Sequence, residues 1–212
     1  HARDHRVKAR IGVNNDGTIT AFEIDDLTGI GPYSVYPRTS GIEANQVVSL
    51  VGGPYTCPNY RARARVVFQN KNVMCQYRAV GHPIAVAVTE GLVDLAAAKI
   101  GMDPLEIRRR NLIADDAYPT QSPSGLKFEL LSHHAALAQL DTLMNYAALR
   151  VEQQEMRKRG IYRGLGFASF IEVTNPSAAF YGVGGARITS MDGATLKLDA
   201  QGNVSVHSGV SE

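Results

Sequence analysis

One stretch combines residue types able to hold a ligand: Gln76-Tyr77-Arg78-Ala79-Val80-Gly81-His82-Pro83. Gly81 gives the backbone the freedom for a sharp bend. Pro83 suits the first turn of a helix, where no N–H is lost. Arg78 to His82 are therefore expected to form a loop aimed at a helix N-terminus, and the orphan amides and positive dipole end there suit an anion. The other chemistry-bearing residues do not assemble. His133 and His134 are adjacent, so on a helix they point about 100° apart and cannot clamp one metal together. His5, His82 and His207 fall on different expected elements. Cys57 and Cys75 are far apart, with no Cys-x-x-Cys spacing. That argues against a disulfide framework and against zinc, and each reads as a small buried side chain. No Gly-x-Gly-x-x-Gly follows a strand and no phosphate loop is present; Gly182-Val183-Gly184-Gly185 precedes no helix and reads as a bent loop. Serine and cysteine nucleophile contexts are absent.

The elements around the loop follow from periodicity and turn chemistry. Val7, Ala9, Ile11 and Val13 alternate with Arg6, Lys8, Arg10 and Gly12, which predicts a strand over Arg6 to Val13. Asn14-Asn15-Asp16-Gly17 is a hairpin turn, and Thr18 to Leu27 returns as a second strand. Gly29 to Tyr36 is loop; Thr39 to Leu50 fits a short helix or irregular chain equally well. From Tyr60 to Phe68 apolar residues alternate with Arg61, Arg63 and Arg65, giving a strand with one apolar and one cationic face. A solvated sheet face explains those arginines better than nucleic acid does.

A long apolar helix pattern runs from Pro83 to Ile100 and ends at Gly101. Asp103-Pro104-Leu105-Glu106 restarts helix as a capping box. Arg108-Arg109-Arg110 sit in its last turn, where cations suit the dipole. Asp115 to Lys127 is a polar loop. Ser132 begins a helix with Leu137, Leu140 and Met144 on one side, and Asn145 caps another, Tyr146 to Lys158, closed by Gly160. Tyr162 to Val173 is extended and apolar. Arg187 to Ser190, Thr195 to Asp199 and Val204 to Ser208 form a β-meander, with Met191-Asp192-Gly193 as one of its turns. Strands, then helices, then strands give an α+β fold of antiparallel strands with a central helical segment. A boundary near Gly160 separates residues 1–160 from 161–212.

The totals bound the function. Of the 212 residues, 44% are hydrophobic and 20% charged, with a net charge of +2. That composition buries a core and gives no reason to expect nucleic acid or an anionic membrane as partner. No stretch approaches a membrane span and no signal peptide is seen, so the expectation is cytoplasmic. The chain starts His1-Ala2-Arg3 without methionine and stops at Ser211-Glu212 beside a strand, which reads as a piece of a longer protein.

Three segments in order, Tyr55-x-x-Pro58-Asn59-Tyr60-Arg61, Gln76 to Pro83, and Leu95-Ala96-Ala97-Ala98-Lys99-x-Gly101-x-Asp103-Pro104 on to Arg108-Arg109-Arg110-Asn111-Leu112, resemble the large subunit of the xanthine oxidase and aldehyde oxidase (molybdenum hydroxylase) family. Arg163-Gly164-Leu165-Gly166 and Gly202 to Glu212 resemble its next segment. The resemblance implies that 1–160 is part of a first molybdenum-cofactor-binding domain and 161–212 the start of a second. It implies a molybdopterin cofactor, in bacteria usually the cytosine dinucleotide, and water-derived hydroxylation of an aldehyde or an aromatic N-heterocycle. Electrons would leave through 2Fe-2S clusters to FAD on other domains or subunits. Tyr77, Arg78, Ala79, Gly81 and His82 would contact the cofactor, with the Arg78 backbone amide beside molybdenum; preorganised amides stabilise oxo and dithiolene charge without rearranging. Val80 and Gln46 would line the substrate pocket.

The departures narrow the reading. Val80 stands where xanthine-oxidising members have a phenylalanine along the substrate ring, a stacking face worth ~0.5–1.5 kcal/mol. Gln46 or a neighbour falls where they place an arginine, so purine is a poor expectation. Ala79 stands where carbon monoxide dehydrogenases carry a copper-binding cysteine, and Cys75 is too early to replace it. The family's glycine-rich loop would precede His1, and its glycine-glutamine-glycine segment and general-base glutamate would follow Glu212. No catalytic residue is therefore expected within these residues, and the isolated piece is expected to be inactive. A non-catalytic scaffold of the same fold is the competing expectation. Apolar surface left for absent neighbours makes self-association, as a homodimer, a further one.

Overall fold

Turn chemistry decides where the first ribbon folds back. The computed structural model describes residues 3–35, 39–172 and 193–209. Strand β1 (His5–Val13) meets β2 (Ile19–Gly29) through Asn14 to Gly17, closed by Asn14 N–H to Thr18 O at 2.9 Å and Gly17 N–H to Asn14 O at 2.9 Å. Residues 30–58 then carry helix α1 (Ile42–Leu50) and deliver β3 (Asn59–Val67) parallel to β2. A connection of that length permits a crossover, which a hairpin would not. The sheet order is β1-β2-β3: β1 and β2 pair antiparallel as expected, and β2 and β3 pair parallel. The undecided stretch Thr39 to Leu50 resolves as α1.

Helix α2 (His82–Ile100) begins after Gly81 and ends at Gly101, both with positive φ. In α3 (Pro104–Asn111) the Asp103 carboxylate accepts the Leu105 and Glu106 amides, but the expected capping box does not close. Glu106 instead pairs with Arg109 and Arg110 at 3.2 and 3.3 Å, one turn along its own helix. Asn111 ties this helix to the first hairpin: its Oδ1 accepts Ile19 N–H at 2.8 Å and its Nδ2 donates to Gly17 O at 2.7 Å. The polar loop after it contains a 3-10 turn (Asp115–Ala117) and a small ladder of β4 (Thr120–Gln121) with β5 (Lys127–Phe128). Helices α4 (His133–Met144) and α5 (Tyr146–Lys158) meet at Asn145. Asn145 turns the corner through its positive φ of 47° and makes no side-chain cap bond.

The core gathers Phe22 and Ile24 of β2, Val47 of α1, Val93 and Ala97 of α2, and Leu105 and Ile107 of α3. Strand β3 departs from expectation. Tyr60 is half-buried, but Ala62, Ala64, Val66 and Phe68 stand exposed at the sheet edge. Arg61 and Arg65 pair with Glu23 and Asp25 of β2 at 2.8 and 2.9 Å, so neighbouring carboxylates answer two members of the cationic stripe. Over the described residues 162–172 the expected extended run forms no strand. Side chains satisfy parts of its backbone instead: Gln153 Nε2 donates to Arg163 O at 2.7 Å and Arg108 Nη2 to Phe167 O at 3.0 Å. Cys57 and Cys75 are half-buried thiols rather than core residues.

By contacts the chain divides into two units, His1–Glu172 and Val173–Glu212. In the second, β6 (Ala194–Leu198) pairs antiparallel with β7 (Val204–Ser208). The expected strand Arg187 to Ser190, the run Gly182 to Gly185, most of the Met191-Asp192-Gly193 turn, and Glu212 lie outside the described residues. Among the described residues no helix is long and apolar enough to cross a membrane.

Candidate functional site

The bend ahead of α2 needs two residues in the left-handed region. Ala79 has φ 70° and Gly81 φ 76°, and the turn is closed by Val80 N–H to Tyr77 O at 2.9 Å and His82 N–H to Ala79 O at 2.7 Å. A non-glycine at such a φ persists only where its surroundings over-determine it. His82 supplies part of that constraint. It is buried, and its Nδ1 reaches Ala79 O at 2.8 Å and Val80 O at 3.1 Å. Both partners are carbonyls, so Nδ1 carries a proton and donates.

Gly81 rests directly on α1. A Cβ there would stand 2.8 Å from Gln46 Cβ, 2.8 Å from Glu43 O and 2.9 Å from Val47 N. The two segments read as one site, Tyr77 to His82 and Gln46, are thus brought together. Tyr77 and Arg78 are exposed, Ala79 and Val80 half-buried, and Gly81, His82 and Gln46 buried. Gln46 Oε1 is buried and has no hydrogen-bond partner among the described residues. An anion does meet the start of α2, and it belongs to the chain: Glu43 Oε1 accepts the Gly81 amide at 3.3 Å.

Glu43, itself buried, opens onto a polar cluster that periodicity does not reveal. Its Oε1 is 3.3 Å from Arg3 Nε and its Oε2 is 3.7 Å from His5 Nε2. Arg3 donates to Arg78 O and lies 5.5 Å over the Tyr77 ring. On its other side, His5 Nδ1 lies 3.0 Å from Asp26 Oδ2, which also accepts the Thr28 hydroxyl at 2.8 Å. Asp26 and Thr28 continue the inward alternation of Phe22 and Ile24, so the sheet's covered face turns from apolar to polar under the loop.

Burial alone would pull the His5 pKa down, but the Asp26 hydrogen bond and the nearby Asp26 and Glu43 carboxylates outweigh it and push it up to about 9. Stability from the charged imidazole is therefore fully present below its unfolded value of about 6.5 and is lost as pH rises through about 9. Urea midpoints measured between those limits should fall for the wild type and stay flatter for His5→Gln. Parallel slopes in the two proteins would show that the cluster does not hold a charged His5.

A second buried cluster corrects the reading of Arg108 as a dipole-facing cation. Arg108 is fully buried: Nε donates to Glu90 Oε2 at 2.8 Å, Nη1 to Pro104 O at 2.8 Å, and Nη1 lies 2.8 Å from Asp94 Oδ1. Tyr55 OH donates to Glu90 Oε1 at 2.8 Å. Burial raises the Glu90 carboxyl above its ordinary range against the pull of Arg108. A cavity of about 210 Å³ lies beyond Phe167, lined by His133, Leu137, Leu140 and Phe170; it is apolar and contains none of the expected site residues. No group of three or more His, Cys, Asp or Glu among the described residues is placed to hold a metal ion.

Residues 1–112 match the molybdopterin cofactor-binding domain family. Over 212 residues, all of this chain, the sequence is 31% identical to the nicotine 6-hydroxylase large subunit of Paenarthrobacter nicotinovorans, of which it covers 26%. It is 28% identical to the aldehyde oxidoreductase of Megalodesulfovibrio gigas, with 95% of this chain and 20% of that protein aligned. Among solved structures, quinoline 2-oxidoreductase from Pseudomonas putida 86 superposes with a TM-score of 0.86 at 31% identity, over 97% of this chain and 26% of that one. The chain spans about a quarter of the length of the first and last of these and a fifth of the second.

Proposed function

We propose, from the premise that the chain belongs to the molybdopterin cofactor-binding domain family and matches part of large subunits of the xanthine dehydrogenase and aldehyde oxidase type, that it helps form the active site of a molybdenum hydroxylase acting on an aromatic N-heterocycle. An aldehyde is the alternative substrate. The carrying observation is the pairing of a turn pressed onto α1 without room for a Cβ at Gly81 with a buried, unpartnered Gln46 Oε1 beside it. The seat on α1 fixes the turn in place, and an orphaned acceptor beside it fits a donor on a ligand.

When bound, the molybdenum–pterin group, in its cytosine dinucleotide form, supplies the oxygen-transfer and two-electron chemistry. This chain's part is to bind and orient. Tyr77, Arg78, Ala79, Gly81 and His82 would hold the cofactor, with the Arg78 backbone amide offered to the metal centre, and His82 keeps the turn in shape by holding the Ala79 and Val80 carbonyls. Val80 leaves room for a fused or substituted ring. Gln46 offers both a donor and an acceptor to a heterocycle, as a cationic side chain would not. The names of two relatives, a nicotine 6-hydroxylase and a quinoline 2-oxidoreductase, favour the heterocycle over the aldehyde. The same reading supplies 2Fe-2S and FAD-bearing domains or subunits as electron acceptors, a homodimer and a cytoplasmic setting. It also gives Leu196, Leu198, Val204 and Val206, each more than half exposed, a cover in the rest of a larger protein.

The test is turnover of quinoline, a pyridine and a simple aldehyde by the intact enzyme in ¹⁸O water, with metal analysis of the same preparation. Bound molybdenum and labelled hydroxylated heterocycle are expected. A metal-free protein, or one inert toward all three, would remove the proposal. The 212-residue chain alone should neither turn over substrate nor retain stoichiometric molybdenum.

A further inference from the structure

We propose that Glu43 is a positioning residue for the Tyr77–Gly81 turn, acting through a cluster with the half-buried Arg3 and with His5; the inference rests on the reading that this turn holds the cofactor. Besides the His82 contacts, the turn is gripped from outside its own segment at two points, and both lead to Glu43. At its C-terminal end the carboxylate takes the Gly81 amide at 3.3 Å. At its N-terminal end Arg3, 3.3 Å from the same carboxylate oxygen, donates to Arg78 O and lies over the Tyr77 ring. The other carboxylate oxygen faces His5 Nε2 at 3.7 Å, and His5 is anchored to Asp26 of β2. Glu43 is 4% exposed and sits on α1, a rigid element packed on the sheet. The turn is thereby referenced to α1 and to the sheet together. Its own sequence does not secure it, because Ala79 holds a left-handed φ that an alanine adopts reluctantly.

The arrangement has the form of a supporting layer behind a ligand-facing one. A site displaced by a fraction of an ångström loses rate, and the groups that prevent the displacement lie behind the ones that touch the ligand. Glu43 is buried behind the turn and reaches it through the Gly81 amide and through Arg3. Its removal should therefore lower kcat more than it raises KM.

Three variants of the intact enzyme separate the possibilities. E43Q keeps an oxygen for the Gly81 amide and loses the charge that gathers Arg3 and His5. E43A loses both. R3Q frees only the Arg78 end. Amide hydrogen exchange over the peptide spanning residues 77–82 should quicken in the order wild type, R3Q and E43Q, then E43A. In E43A kcat should fall on the order of tenfold, with KM changed less than kcat. Wild-type exchange at 77–82 in folded E43A and E43Q overturns the proposal. So does an E43Q protein that fails to fold, since Glu43 would then serve the fold and not the turn. If the turn loosens as expected but wild-type enzyme carries no molybdenum, the positioning role stands and the cofactor reading falls.

Discussion

Replacing Arg108 by methionine is expected to lower the unfolding free energy by about 3–5 kcal/mol, the scale seen when one partner of a buried ion pair is removed. Arg108 is fully buried and Glu90 is 5% exposed, so the change leaves a carboxylate inside the core without its cation, answered by the Tyr55 hydroxyl at 2.8 Å and the Ser169 backbone. Phe167 O loses its donor in the same step. Glu90 is already raised by burial, and losing Arg108 raises it further. A carboxyl whose folded pKa is raised favours the folded state below its unfolded value, and that advantage disappears as pH rises through the folded one. The R108M deficit should therefore be smaller in acid and grow toward neutrality. Denaturant titrations at two pH values measure it. The double variant R108M/E90L should recover most of the loss, because replacing both partners by apolar groups leaves no buried charge behind. A double variant as unstable as R108M would mean that packing around Phe167, rather than the ion pair, carries the effect.

Arg108 also marks where sequence reasoning stops. The features it reads well are local: the Asn14–Gly17 turn, Gly101 after α2, Asp103 before α3, and the bend at Gly81 are each decided by residues within a turn of one another. Local sequence alone makes Arg108 a cation at a helix end, the place that Arg109 and Arg110 take on the exposed side. The partners that change its meaning, Glu90, Tyr55 and Phe167, come from other elements. Asp26 and Thr28 were hidden for a different reason. They sit in a strand whose apolar alternation ends at Ile24, and a polar residue at an inward position looks like a frayed pattern until His5 and Glu43 are seen around it. The covered face of β3 was over-read: alternation reports that a strand has two faces, not that anything covers one of them. In the candidate site the spacing led to the loop and the family resemblance added Gln46. Arg3, Glu43 and His5 had no periodic or motif signal at all.

Gly81→Ala should have the largest effect on the site of any single methyl group, and Gly101→Ala is its control. Both glycines have left-handed φ, 76° and 71°, so both pay the cost of placing an L side chain there, about 1–2 kcal/mol. They differ in what surrounds them. Nothing lies within 4 Å of a Cβ at Gly101, whereas a Cβ at Gly81 would meet Glu43 O at 2.8 Å and Val47 N at 2.9 Å. Those atoms are helix backbone and cannot swing aside, so the turn must lift off α1 at a further cost of roughly 1–3 kcal/mol. Lifting the turn breaks the Gly81 amide's bond to Glu43 and moves Arg78 and Ala79 with it. Activity of the intact enzyme should fall on the order of a hundredfold, the scale of an ångström-sized misplacement. G101A should cost stability and leave kcat near wild type. Denaturation midpoints and steady-state rates for the two variants give the comparison directly. Equal losses of stability would mean that only φ matters at Gly81, and an active G81A enzyme would mean that the close approach of the turn to α1 does not hold the reacting groups in place.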